Sequence, residues 1–178
     1  MTLRDHVDDI QSAWAAELPD LDVSSIGVIG RVLELARRLE RHRALVLAEL
    51  GTDFPTLDVI SALLRSGPPY RLSAGTLQRA SLVTAGAISQ RLERVKAAGL
   101  VRRVVDPVDK RRTVVALTPA GKRLADRALR ELMEREGSLL DVYTPEEHRQ
   151  LTALMRRWTV WFDRTAGPAN VHPPRAAK

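Results

Sequence analysis

Cysteine is absent from the 178 residues. The chain can therefore form no disulfide, no thiol redox sensor and no Cys-ligated zinc site. Its four histidines, His6, His42, His148 and His172, are scattered. None stands in a metal-binding spacing such as His-Glu-x-x-His, and no glycine-rich phosphate loop occurs, so neither a metal nor another cofactor is expected. No apolar run approaches the ~18 residues of a membrane span. The N-terminal segment carries Asp5, Asp8 and Asp9 without an apolar stretch, unlike a signal peptide, and a cytoplasmic protein with no membrane partner is expected. Those acids flank His6, but a helix N-terminus favours acids for electrostatic reasons alone.

What is present is a helical pattern interrupted once by β-rich sequence. Hydrophobic residues make up 44% of the chain, enough for a folded core, and the net charge of +6 suits a polyanionic partner. Leu3, Val7, Ile10 and Trp14 recur at helical spacing over residues 2–17, which Leu18-Pro19-Asp20 closes. A second helix follows Ser24 or Ser25 and runs to about Leu50, with Ile29, Val32, Leu33, Ala36 and Leu39 on one stripe and Gly51 as its stop. Pro55 opens a third helix, residues 56–65, and Ser66-Gly67-Pro68-Pro69 breaks it. Thr118-Pro119 starts a long helix reaching about Asp141, and Thr144 with Glu147 caps a last one carrying Leu151, Leu154, Met155, Trp158, Trp161 and Phe162.

Residues 72–117 are the most informative stretch. Ser73 caps a helix to about Ala80, residues 81–83 form a turn, and Thr84 caps a second helix that buries Ile88, Leu92 and Val95 and stops at Gly99. Val101–Val105 and Thr113–Leu117 then read as a two-stranded hairpin with the basic tip Lys110-Arg111-Arg112. This is the order of a winged helix-turn-helix, a unit that usually binds double-stranded DNA. The outward side of the second helix offers Thr84, Ala85, Gly86, Ser89, Gln90 and Arg94. Small residues let the backbone approach the groove, Gln90 can pair with adenine edges, and Ser89 can serve any base. Arg94 is assigned to a phosphate, as are Arg79, Arg102 and Arg103. Lys110, Arg111 and Arg112 suit the minor groove, with Asp106 and Asp109 folding the tip by pairing with Arg111 or Arg112.

Two features point beyond a lone reading head. All three tryptophans, Trp14, Trp158 and Trp161, lie on the first and last helices, which have no obvious partner within a winged helix of about 70 residues. They are expected to pack against a second copy, so that a homodimer reads a near-palindrome; the alternative is an ordinary intramolecular core. Arg91 stands three residues after Ile88 and four before Val95, near the buried stripe, and a buried cation needs an anion. Asp58, on an otherwise apolar third helix, needs a cation. Pairing the two satisfies both.

The segment from Leu72-Ser73 through Gly99-Leu100-Val101-Arg102-Arg103, with Asp106-Pro107-Val108-Asp109-Lys110-Arg111-Arg112 and Leu117-Thr118-Pro119-Ala120-Gly121, resembles the MarR family of dimeric transcription factors. The added helix with Trp14, Gly30-Arg31-Val32-Leu33-Glu34-Leu35-Ala36-Arg37, Phe54-Pro55-Thr56-Leu57-Asp58-Val59 and Arg65-Ser66-Gly67-Pro68-Pro69-Tyr70-Arg71 resemble its urate-responsive, PecS- and HucR-like subgroup more narrowly. The resemblance implies a repressor that leaves DNA when a small anionic aromatic effector, urate or a related purine, binds. It implies a ligand pocket of Trp14, Asp58 and Arg91. Ser66 stands where the subgroup usually has Asn near the end of the third helix, and Gln90 where Asn commonly precedes the Arg. The structural alternative is a plain Asp58–Arg91 ion pair with Trp14 in the core.

The expectation is thus a mainly α chain with a small β-wing: a winged helix-turn-helix flanked by N- and C-terminal dimerisation helices. Residues 1–50 form the N-terminal helices, comprising the added helix and the dimerisation and pocket helix. Residues 51–118 form the DNA-binding domain, 119–166 the C-terminal dimerisation helices, and 167–178 a disordered tail. A ligand-independent activator or architectural DNA-binding protein is the alternative function. A winged helix that binds protein would lack the basic tip, and no arrangement of residues points to catalysis.

Overall fold

The computed structural model describes residues 3–80, 85–105 and 113–165, with the side chains of residues 79–80 and 85–87 left aside. The expected turn at 81–83, the cap Thr84, the wing tip at 106–112 and the tail at 167–178 lie outside the described residues. Two compact units divide the chain, residues 1–49 and residues 50–178.

The first unit is a helix pair, α1 (His6–Glu17) and α2 (Ile26–Glu49). The acids near His6 have a structural role. Asp5 caps α1, its carboxylate accepting from Val7 N (2.9 Å) and Asp8 N (3.2 Å), while Asp8 accepts from Asp5 N (2.9 Å). This reciprocal capping starts α1 at His6, four residues later than periodicity alone predicts. Both carboxylates then hold Arg31 of α2, at 2.9 Å from Asp5 and 2.8 Å from Asp8. The two helices close tightly where Gly30 faces Val7: a Cβ on Gly30 would lie 2.8 Å from Val7 Cγ1. Val7 is buried, whereas Ile29, Leu33 and Leu39 of the predicted α2 stripe stay exposed within a single chain; the buried residues of α2 are Val46 and Leu47.

The second unit is built around α3 (Phe54–Arg65). Its first turn is fixed by Asp53, which accepts from Thr56 N at 2.8 Å, and by Pro55, which needs no N–H partner there. The helix starts two residues before its predicted position because the cap is Asp53. Leu57, Val59, Ile60, Ala62 and Leu63 are all buried, and α3 packs against α4 (Ala74–Ala80), α5 (Ala85–Ala97), α6 (Pro119–Ser138) and the sheet. It is the centre of the unit's core.

The sheet has three strands rather than two. β2 (Val101–Val105) and β3 (Thr113–Leu117) have their predicted bounds, with Arg103 opposite Val115. The addition is β1 (Arg71–Ser73), which pairs antiparallel with β3, Leu72 opposite Val115, giving the order β1-β3-β2. Three residues carry no readable alternation, and the pairing partner lies over 40 residues away, so this strand is a tertiary event. Ser73 keeps its predicted capping role, its hydroxyl accepting from Thr76 N at 3.1 Å. The central strand β3 buries Val114, Val115 and Ala116.

From β3 the chain turns into α6 over the Leu117-Thr118-Pro119-Ala120-Gly121 motif. Thr118 caps α6 by accepting from Gly121 N (3.0 Å) and donates its hydroxyl to Gly99 O (2.8 Å) and Leu100 O (3.0 Å), tying the end of α5 to the start of α6. Gly121 sits against that backbone so closely that a Cβ would lie 2.1 Å from Leu100 O. α6 ends at Ser138, three residues short of the predicted stop, and α7 (Pro145–Thr165) begins under the predicted Thr144–Glu147 cap. None of the residues of α7 is buried in the single chain.

A backbone carbonyl cannot swing away as a side-chain end can. We therefore expect Gly121→Ala to cost about 3 kcal/mol in urea unfolding. Gly137→Ala, where nothing lies within 4 Å of the new methyl, should instead gain about 0.5–1 kcal/mol. Equal effects at the two sites would refute the packing role of Gly121.

Candidate DNA-reading face and ligand site

α5 presents its buried edge to α3 and its other edge to solvent. Ile88, Leu92 and Val95 are buried as predicted, and Ser89 and Gln90 are exposed on the opposite side. Ala85 and Gly86 occupy the first turn of α5 and Arg79 the last turn of α4, without described side chains. Thr84, Lys110, Arg111 and Arg112 lie outside the described residues. Arg102 is exposed on β2 and forms no ion pair among the described residues. Arg103 is exposed and held by Glu93 of α5 at 2.7 Å.

Arg91 and Asp58 meet. Arg91 donates from Nη1 to Asp58 Oδ2 at 3.3 Å, with side-chain exposures of 21% and 9%. Burial raises the Asp58 pKa above its ordinary value, opposed by the positive charges of Arg91 and Arg65. The positive charges of its neighbours thus offset only part of the effect of burial on this carboxyl. One helical turn further, Arg94 donates to Asp53 Oδ2 at 3.2 Å. Burial acts on Asp53 too, but hydrogen bonds from Thr56 and the charge of Arg94 hold its carboxyl below the ordinary value. α3 thus grips α5 through two carboxylate–guanidinium rungs.

Of the remaining predicted ligand residues, Ser66 shares the second unit with this pair and Trp14 belongs to the first. Ser66 is the C-cap of α3, and its hydroxyl donates to Leu63 O at 2.7 Å. Trp14 belongs to the N-terminal unit and is 48% exposed. Three residues that no sequence pattern had singled out take part here: Asp53, Glu93 and Ser61. Ser61 follows Asp58 by three residues and so shares its face; its buried hydroxyl has no hydrogen-bond partner among the described residues. The signal for Asp53 was the Asp-x-Pro start of a helix, but its second role depends on a side chain 41 residues away. Among the described residues no cluster of His, Asp and Glu is placed to hold a metal, and no helix is long and apolar enough to cross a membrane.

Four similarities bear on this arrangement. Residues 50–112 match the MarR family profile. The chain is 31% identical over 151 residues to the HTH-type transcriptional regulator PecS of Dickeya dadantii, covering 85% of this chain and 91% of that one. Among solved structures, a MarR mutant from E. coli complexed with operator DNA superposes with a TM-score of 0.63 at 20% identity, over 81% of this chain and 96% of that one. Bordetella bronchiseptica BpsR, whose DNA binding is regulated by 6-hydroxynicotinic acid, superposes with a TM-score of 0.57 at 23% identity, over 71% of this chain and 91% of that one. These structural likenesses establish the winged helix-turn-helix fold.

Ionising Asp58 works against the fold. Its contribution to stability is complete below the unfolded-state pKa and is lost as pH rises through the higher folded-state one. Wild type should therefore lose stability relative to Asp58→Asn across that window. Carboxyl NMR should find Asp58 titrating above the usual carboxylate value, and higher again in Arg91→Gln, where burial acts with less opposition. A lower midpoint in Arg91→Gln would show that the two groups do not interact as described.

Proposed function

The chain belongs to the MarR family of transcriptional regulators, and we propose that it is a homodimeric repressor that binds a near-palindromic operator and leaves it when a small anionic aromatic effector binds. Its relatives are regulators, not enzymes. The observation that carries this reading is the Asp58–Arg91 pair, because it joins the core helix α3 to the helix that would read DNA. An anionic ligand can compete with Asp58 for Arg91. Losing that tie changes how α5 is held, and a ~100-fold drop in DNA affinity requires only ~2.7 kcal/mol of coupling between the sites. The buried hydroxyl of Ser61, without a partner among the described residues, offers a further hydrogen bond on the same face of α3.

On the DNA side, Ser89 and Gln90 face the major groove, with Ala85 and Gly86 close to its wall. Arg94, Arg79, Arg102 and Arg103 meet phosphates, while Thr84, Lys110, Arg111 and Arg112 complete the contact at the helix start and wing. Homodimerisation is supported by the apolar residues that the single chain leaves uncovered: Leu154, Met155, Trp161 and Phe162 on α7, and Ile10 and Trp14 on α1. The BpsR relative, regulated by an aromatic acid, supports a ligand of that class. Urate or a related purine is the effector that the sequence resemblance favours, and the resemblance alone assigns Trp14 and Ser66 to it.

Selection of genomic fragments on the purified protein, followed by sequencing, should return a shared near-palindrome bound by two copies in light scattering. Fragments sharing no site would return the protein to the architectural class. On the selected duplex, urate and simple aromatic acids should weaken binding of wild type, and Arg91→Gln should lose that response while still binding DNA. A variant that binds DNA and responds as wild type does would sink the pocket assignment.

A further inference from the structure

The two rungs between α3 and α5 differ in one respect that bears on DNA binding. The Asp58–Arg91 rung is largely covered, with side-chain exposures of 9% and 21%, whereas Asp53 and Arg94 are 48% and 56% exposed. Only the outer rung is open to a polyanion. We propose that Asp53 is an internal stand-in for a DNA phosphate: it holds Arg94 in the free protein, and DNA binding must exchange this carboxylate for a backbone phosphate. The proposal rests on the reading of Arg94 as a phosphate contact.

The carboxylate is built to stay where it is. Its Oδ1 accepts from Thr56 N at 2.8 Å as the cap of α3, and only Oδ2 serves Arg94. α3 is the most deeply buried helix of its unit, so Asp53 cannot follow the guanidinium towards DNA. Arg94 sits on a flexible side chain at the exposed edge of α5 and can. When it leaves, Asp53 retains the α3 cap but becomes an uncompensated negative charge close to the phosphates. Arg94 thus contributes to affinity only the difference between a phosphate and a carboxylate partner, and the net charge delivered to DNA by the pair is zero. Glu93 holds Arg103 in the same way at 2.7 Å, so two of the assigned phosphate-binding arginines carry an internal carboxylate partner. An arrangement of this kind lowers affinity for any duplex, because phosphates are common to all sequences. It leaves discrimination to groups such as Gln90 that read base edges.

Asn caps a helix as well as Asp, so Asp53→Asn removes the hold on Arg94 without removing the cap. Full-length wild type, D53N, R94Q and the double variant are titrated against the duplex recovered by genomic selection, across a salt series, by fluorescence anisotropy. D53N should bind about two- to fivefold tighter than wild type, the range expected for loss of an exposed ion pair. Its dependence of log affinity on log salt should steepen by about one phosphate contact. R94Q should weaken binding, and D53N should gain clearly less in that background than in wild type, because there it relieves only the repulsion between Asp53 and the phosphates. A D53N gain of the same size in both backgrounds would mean simple removal of a negative charge near DNA, and would overturn the proposal. So would D53N binding as wild type does while R94Q weakens. Binding unchanged in R94Q would overturn the reading of Arg94 as a DNA contact, and the proposal with it. Should D53N lower the urea midpoint, D53S, which also caps, replaces it under the same criteria.

Discussion

A guanidinium near the buried edge of a helix obliges the protein to supply an anion, and the rest of the second unit follows from where that anion comes from. Arg91 lies on α5 beside the apolar stripe that closes the core. Unpaired, it would cost more than its packing returns. Asp58 meets the requirement from the central helix α3, and in doing so makes the position of α5 depend on a charge within the core. Apolar contacts from Ile88, Leu92 and Val95 fix which face of α5 points inward, but they are non-directional. The ion pair adds a direction. In the function proposed above it is the contact with which an incoming anion competes, and its carboxylate is already disfavoured by burial. A helix held by apolar packing alone would offer a small ligand no such competitor to displace.

The same helix carries both anions, which gives α3 two duties. Through Leu57, Ile60 and Leu63 it is the core; through Asp53 and Asp58 it positions α5. Its deep burial makes it a rigid reference, and the carboxylates are fixed on it at the cap and one turn further on. Thr118 performs a comparable task at the other end of α5, where its hydroxyl gathers the carbonyls of Gly99 and Leu100, and Gly121 lets α6 approach that backbone. The second helix of the helix-turn-helix is therefore secured at its side by charge and at its end by hydrogen bonds.

Much of this was legible in the sequence where the signal is local. The caps at Ser73, Thr118 and Thr144, the stop at Gly99, the limits of β2 and β3, and the buried stripe of α5 all rest on residues within a turn or two of one another. The Asp58–Arg91 pair was legible for a different reason: each residue was anomalous in its own pattern, one acid on an apolar helix and one cation beside an apolar stripe, and each anomaly needed the other. What escaped was either short or shared. β1 is three residues long and exists only because β3 has a free edge. Asp53 shows a capping pattern that accounts for it fully, so nothing in the sequence calls for a second partner. The start of α1 shifted because Asp5 and Asp8 form a cap that apolar periodicity does not weigh.

The contrast between the two rungs bears on how a regulator of this type can be both tightly controlled and free to move along DNA. Affinity carried by phosphate contacts is indifferent to sequence and retards search, whereas affinity carried by base edges selects. Carboxylates that occupy the arginines proposed to bind phosphate would reduce the first without touching the second. In the proposed reading, the covered rung at Asp58 and Arg91 responds to a small anion, and the open rung at Asp53 and Arg94 to a large one. Because both rise from α3, a change in how α5 is held at the inner rung alters the reach of Arg94 at the outer one, one turn away. On that proposal, effector response and phosphate contact are two readings of a single helix–helix junction, linked by geometry rather than by any long-range path.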